Sequence, residues 1–397
     1  MMRTQAVVVS RLLLILAVPA LALTTSAPSS ARQRVPALTL VAGAAAKDED
    51  VTKPGGQWSL FRGNLHQTGV AASSLPDQLK IRWRFRAGDA VEGTAAIADG
   101  TVYVGSYDQF LYALDLKTGQ PKWKYKGGPF KAPIAWHDGA IYAGDEDGTF
   151  HCIDRTGKKR WTYDVGAEVT SGASFAGDDV LFGAGNELLT CLTRDGKKKW
   201  TFQVAGGPVN ATPAVAGGHT FVAGCDSNLH VIDLKTGKEV RAVALDGQVG
   251  STGAVVGGML YVGTMTNEVQ AVDWKNGKVD WSFRAKRRQQ PFFASVAVTD
   301  NLVIAGSKDK RVYGLDRKTG AEVWSYLTEG RVDSSPVVVG KRVYVGSQDG
   351  NLYVLDRDKG TLIQKVELDG EVVGSPAVAA GCLIIGTVKG TVYCLGE

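Results

Sequence analysis

Val102–Lys126 reads VYVGSYDQFLYALDLKTGQPKWKYK. Three short runs rich in aromatic and β-branched residues are separated by two polar clusters, Ser106-Tyr107-Asp108 and Asp115-Leu116-Lys117-Thr118-Gly119. Such runs, bounded by Asp and Gly, read as strands joined by tight turns. Trp123 and Tyr125 are two positions apart, so both rings stand on one side of the third strand.

Outward from that stretch the same pattern returns without gaps, with a small marker residue at Gly105, Gly144, Gly183, Ala223, Gly263, Gly306, Gly346 and Gly386. The steps are 39, 39, 40, 40, 43, 40 and 40 residues, the signature of an internal repeat. A small-residue stretch such as Ser334–Val339 precedes each marker strand, which makes four strands per unit. The fourth carries Trp-x-aromatic: Trp83/Phe85, Trp123/Tyr125, Trp161/Tyr163, Trp200/Phe202, Trp281/Phe283 and Trp324/Tyr326. A lone four-stranded sheet cannot bury such a face, whereas sheets packed around an axis can. The expected fold is all-β, an eight-bladed β-propeller of four-stranded antiparallel blades, with the six tryptophans docking blade on blade. The last unit stops after its third strand, and Ile81–Phe85 is a Trp strand with no unit of its own. The N-terminal strand is expected to join the last blade and so close the ring without a free edge. A column of small residues (Ala113, Cys152, Cys191, Val231, Ala271, Gly314, Val354, Cys394) is read as the line of close approach between blades. Three of the five cysteines fall in it, so they read as core residues, not as a disulfide framework.

Three regions follow. Residues 1–46 read as an export region: Arg3 and Arg11 precede the apolar run Leu12–Leu23, which Pro19 interrupts and which suits a signal-peptide core better than a membrane span. The cleavage point stays open, and a retained anchor is the alternative. No Cys precedes Cys152, so no lipoprotein anchor is expected. Residues 47–79 form a lead-in around Trp58–Asn64, either docked on the propeller or a tether, and 80–397 form the propeller. The expected location is the periplasm or the cell exterior, with no transmembrane span in the mature chain. A net charge of +5 over 397 residues speaks against a nucleic-acid partner, and a monomer is expected.

The stretches Ala113–Trp123 (ALDLKTGQPKW), Ala271–Trp281 (AVDWKNGKVDW) and Gly314–Trp324 (GLDRKTGAEVW) resemble the tryptophan-docking motif of quinoprotein propellers. Gly346–Asp356 (GSQDGNLYVLD) is similar to the PQQ-type repeat, and the resemblance runs through all eight units. Arg241 and Gln364 depart from it at the Trp position. The resemblance implies one of two activities: a PQQ-dependent dehydrogenase, or a non-catalytic scaffold like the outer-membrane assembly lipoprotein BamB. The dehydrogenases hold their quinone with a vicinal Cys pair and a Ca²⁺ site of Glu, Asn and Asp. No two cysteines are adjacent here, and Asp and Asn recur at turn positions where turn geometry alone calls for them. No cofactor is therefore expected, and PQQ with Ca²⁺ enters only with the alternative. No paired histidines, phosphate loop or nucleophile elbow occurs. His151 and His230 share a strand column with four tyrosines and read as blade-surface residues.

Two places read as candidate binding surfaces. The longest step holds Arg287 and Arg288 beside Phe292 and Phe293, a pairing suited to an acidic partner; a solvated loop is the plainer reading. The starts of the innermost strands carry Glu92, Lys131, Thr170, Asn210, Ser251, Ser295, Asp333, Ser334, Ser335 and Ser375, near Arg331, and should ring one mouth of the channel. Such a ring can hold a small ligand or glycan, or only water. The favoured function is a scaffold binding protein partners in the cell envelope, with a role in outer-membrane protein assembly. A dehydrogenase and a channel-mouth sensor are the alternatives.

Overall fold

The computed structural model describes residues 56–397. The export region and residues 47–55 lie outside the described residues. Among the described residues the chain is β-structure apart from one 3-10 turn, Phe61–Gly63, and no helix is long and apolar enough to cross a membrane.

Eight antiparallel sheets account for the eight repeats. Blade 1 runs Ala96–Ala98, Thr101–Gly105, Phe110–Asp115, Pro121–Lys126 from its inner to its outer strand. Blades 2 to 7 repeat this order along the chain. Blade 8 takes Ala377–Ala379, Cys382–Gly386 and Thr391–Gly396 from the C-terminus, and its outer strand is Lys80–Arg86. Trp83 pairs with Cys394 and Phe85 with Val392 in that closing strand pair. The first and last repeats thus meet through backbone hydrogen bonds, as the two complementary fragments of sequence required.

At six junctions the indole N–H of the outer strand donates to a turn carbonyl of the next blade. Trp83 reaches Leu116, Trp123 Arg155, Trp161 Arg194, Trp200 Leu234, Trp281 Arg317 and Trp324 Arg357, all at 2.8–3.0 Å. The ring also covers the glycine of that turn. A Cβ on Gly119, where φ is +71°, would come within 2.6 Å of Trp83, so the Asp-x-Lys-Thr-Gly turn needs its glycine for both backbone angle and clearance. The column of small residues has a different meaning from the one read in the sequence. Six members are the cross-strand partners of the tryptophan in their own blade, as in Ala113↔Trp123 and Gly314↔Trp324, while Val231 and Val354 face Arg241 and Gln364. Those six are the bed on which the indole lies: a Cβ on Gly314 would sit 2.2 Å from Trp324.

Gln364 departs from the tryptophan pattern for a topological reason. Blade 8 receives its outer strand from the N-terminus, so no turn awaits an indole there. Instead the Gln364 amide pairs with both backbone groups of Leu79, accepting its N–H at 2.9 Å and donating to its carbonyl at 2.8 Å.

A hydroxyl belt joins the inner strands. The backbone N–H of Gly172 donates to Thr212 Oγ1, that of Thr212 to Thr252, of Thr252 to Ser295, of Ser295 to Ser335 and of Ser335 to Ser375. Each bond crosses from one blade to the next. These buried donors would otherwise go unpaired beside the axis.

Candidate functional site

The inner strand of every blade is an edge, with backbone groups facing the axis. The lead-in supplies partners for them, in sequence order apart from Gln67. Trp58 exchanges two backbone bonds with Ile97 of blade 1, and the Ser59 carbonyl accepts from Trp136 of blade 2. Gln67 donates to Ser174 of blade 3 at 3.2 Å. The carbonyls of Leu65, His66, Thr68 and Gly69 accept from Val215, Val255, Val298 and Val338 of blades 4 to 7. Val70–Ala71 then adds a fifth, parallel strand to blade 7, and Ser73 Oγ accepts from Gly381 of blade 8. The lead-in is therefore an internal belt that touches all eight blades.

Arg62 is the belt's inward point. It is 1 % exposed, and its guanidinium donates to the carbonyls of Val296 at 3.1 Å, Ser335 at 3.2 Å and Pro336. Burial alone pulls its pKa down to about 9. No carboxylate offsets the charge, and backbone dipoles take that part.

Phe61 forms the floor of the opposite channel mouth, a cavity of about 170 Å³. Glu92, Lys131, Asn210 and Asp333 stand in its wall with Phe293 and the serines and threonines of the inner strands. Many of these groups are already engaged. Asn210 accepts from Thr170 at 2.8 Å, and Glu92 accepts from Tyr107 at 3.3 Å. Lys131 lies 3.9 Å from Glu146. Asp333 accepts from Gln348 at 2.7 Å, while its other oxygen is buried without a hydrogen bond, 3.9 Å from Lys308 Nζ. Burial pushes the Asp333 carboxyl above its usual range against the pull of Lys308 and Arg331. Arg331 itself is exposed and does not line the cavity.

The basic run does not make one surface with its two phenylalanines. Phe292, expected on a binding surface, is 1 % exposed and packs against Phe283 and Tyr313, with centroids at 6.3 and 5.6 Å. Consecutive residues entering a strand point opposite ways, so Phe293 turns to the channel mouth, where Lys308 Nζ sits 4.3 Å over its ring. Arg287 and Arg288 line a separate cavity of about 490 Å³ with Lys310, Arg311 and Glu329.

The tyrosine and histidine column also proves internal. Tyr112 and Tyr353 donate to the turn carboxylates Asp108 and Asp349 at 2.6 and 2.9 Å. His151 meets Asp145 at 2.7 Å and Tyr125 at 3.1 Å, and His230 meets Asp226 at 2.8 Å and Glu239 at 2.6 Å. Both histidines are buried, a correction to the surface reading. They act as tyrosine substitutes that pin a turn. His230, like Tyr112 and Tyr353, bonds the Asp four places before it, a spacing legible in the sequence, whereas His151 passes over Asp147 and bonds Asp145, six places before it.

A family model described as outer membrane protein assembly factor BamB matches residues 76–146, 127–240 and 308–396. The chain belongs to this BamB-type family of PQQ-like propellers. A second model, the β-propeller domain of glucose/ethanol/alcohol dehydrogenase, matches residues 245–338, so related repeats run through nearly the whole propeller. Among curated proteins, the serine/threonine-protein kinase AfsK of Streptomyces coelicolor is 31% identical over 267 residues, covering 65% of this chain and 33% of that one. The polyvinylalcohol dehydrogenase of Sphingopyxis is 36% identical over 121 residues, 23% of this chain and 18% of that one. The chain thus spans a third or less of these relatives. Among solved structures, BamB from Moraxella catarrhalis superposes with a TM-score of 0.69 at 20% identity, covering 81% of this chain and 98% of that chain. The quinohemoprotein alcohol dehydrogenase of Comamonas testosteroni gives 0.74 at 14% identity, over 86% and 81%. These likenesses establish the fold.

The residues at hand do not fit the quinone and calcium of the dehydrogenase branch. Cys152, Cys191 and Cys394 lie beneath indoles of their own blades, and no cluster of three or more His, Cys, Asp or Glu suited to a metal occurs among the described residues. The mouth cavity of about 170 Å³ is also below the usual range for small-molecule pockets, about 300–1,000 Å³.

Proposed function

We propose that this member of the family is a non-catalytic scaffold that binds protein partners in the cell envelope, with outer-membrane protein assembly as its setting. The reading rests on one observation: the inner strands around the axis are taken up by the chain's own belt from Trp58 to Ser73. The surfaces that remain are loop faces and outer blade edges. On blade 6 the outer strand Glu322–Leu327 exposes Val323 and Leu327. An unpaired edge with apolar side chains can accept a partner strand. The apolar run Leu12–Leu23 behind two arginines supports export.

The test places a photo-crosslinking amino acid at Val323 or Leu327, with Lys159 on blade 2 as the control, in the full chain in its native cells. A discrete adduct from blade 6 and none from Lys159 is the expected result. Absence of adducts at all three, together with dye reduction by alcohols when the purified protein is given PQQ and Ca²⁺, would replace the scaffold with the enzyme.

A further inference from the structure

The junction between blades 4 and 5 lacks its tryptophan. Arg241 occupies the position, and its side chain lies over Gly277, the turn glycine that an indole covers at the other junctions; a Cβ there would meet Arg241 Nη1 at 2.4 Å. Beside it, Arg241 lines a cavity of about 560 Å³. That volume is within the range of small-molecule sites.

The cavity has a defined chemistry. Its apolar wall is Val231, Val240, Val255 and Trp274. Trp274 stands where the turns of other blades carry Leu or Arg, and it packs edge-on against Phe221 at 5.0 Å. Arg241 and Lys275 bring two positive charges, and no acidic side chain lines the space. Arg241 makes no ion pair among the described residues, and the Lys275 ammonium rests 5.4 Å from the Trp274 ring. Trp274 is 8 % exposed, and its Nε1–H has no hydrogen-bond partner; nor does the buried Nδ1 of His219 beside it, with ring centroids 5.6 Å apart. Buried polar groups without partners are costly in a folded protein. The carbonyl of Trp274 is the counterpart of those that accept an indole N–H at six junctions, and it lacks that donor here.

We infer that this junction is a binding site for a small aromatic carboxylate. The ring of the ligand takes the cavity beside Arg241, against Val231, Val240 and Trp274, and its carboxylate pairs with Arg241. Charge-assisted hydrogen bonds of a guanidinium to a carboxylate are the strong ones, and an apolar wall supplies the remaining affinity. The site lies away from blade 6, so it stands or falls independently of the scaffold reading.

Titration calorimetry of the full chain with indole-3-acetate, and with its neutral analogue indole-3-acetamide, tests this. Indole-3-acetate should bind, and the amide should bind at least about tenfold more weakly. Arg241→Gln should lose about the same factor, and the Trp274 indole N–H resonance should shift on titration of the unaltered protein. Arg241→Trp should restore the docked ring, fill the space and abolish binding. Should that variant fold poorly, Val240→Glu, at a position 56 % exposed, places a repelling carboxylate at the rim and should weaken binding about tenfold. No binding of indole-3-acetate, equal affinity for acid and amide, or unchanged binding in Arg241→Trp or Val240→Glu would overturn the assignment.

Discussion

Gly69 shows how tightly single residues hold the belt. Its φ is +67°, and a Cβ there would come within 2.0 Å of Arg62 Nη2. Gly69→Ala should therefore push the guanidinium off its carbonyls, and Arg62→Ala should remove it outright. Either loss leaves buried carbonyls unpaired, at about 3 kcal/mol in total; urea unfolding with unchanged slope would measure it. A second residue-level expectation concerns acid. Burial raises the pKa of Asp349, but hydrogen bonds from Asn351, Ser347, Tyr353 and the Gly330 N–H outweigh it and hold the carboxyl below 3.8. Asp145 and Asp369 are lowered in the same way, burial opposing and hydrogen bonds prevailing. A folded pKa below the unfolded one means that these bonds stabilise fully above the unfolded value and are lost as protons bind. Melting temperature should fall as the pH drops below about 4, and Asp349→Asn should flatten that fall.

The outer strand is the element that makes blades cohere, through a ring laid over a glycine turn and an N–H given to a carbonyl. Trp324→Ala, at a ring 7 % exposed, should cost about 3–5 kcal/mol, the usual loss for a large buried ring, visible as an earlier thermal transition. Inner strands cohere by a different device, the hydroxyl belt. Ser335→Ala removes the acceptor of the Ser295 N–H and the donor to nothing essential, so the cost should be that of one buried unmade bond, about 1–3 kcal/mol. Ser335→Thr should recover most of it. Comparing these variants by thermal unfolding separates the two modes of blade adhesion.

Across the whole molecule, the ring is closed twice. Lys80–Arg86 completes blade 8 at the rim, and the lead-in ties all eight inner strands at the axis. A chain beginning at Pro76 keeps the first closure and loses the second. It should retain its β-sheet circular dichroism but give up the seven backbone hydrogen bonds that Trp58 to Gly69 make to the inner strands, each worth about 1 kcal/mol, and melt about 10 °C earlier. An unchanged melting temperature would mean that the belt fills the channel without holding it.

Much of this architecture was legible along the chain because repeat period, strand alternation and turn chemistry are local. The step of about 40 residues, the Trp-x-aromatic pairs and the Asp-x-Lys-Thr-Gly turns name the blade, the docking strand and the close approach, and the unmatched strand at Ile81–Phe85 names the closure. The ring at the channel mouth was legible for the same reason, since equal positions in a repeat come to equal radii. What a residue does once the axis brings distant segments together has no such local mark. Arg62 finds its carbonyls at Val296, Ser335 and Pro336, more than 230 positions away, and nothing near it in sequence announces them. Phe292 and Phe293 are neighbours in the chain but part ways, one to the core and one to the channel. Arg241 reads as a mere lapse in a pattern, because a cavity is a property of the two surfaces that fail to meet, and those surfaces come from different blades.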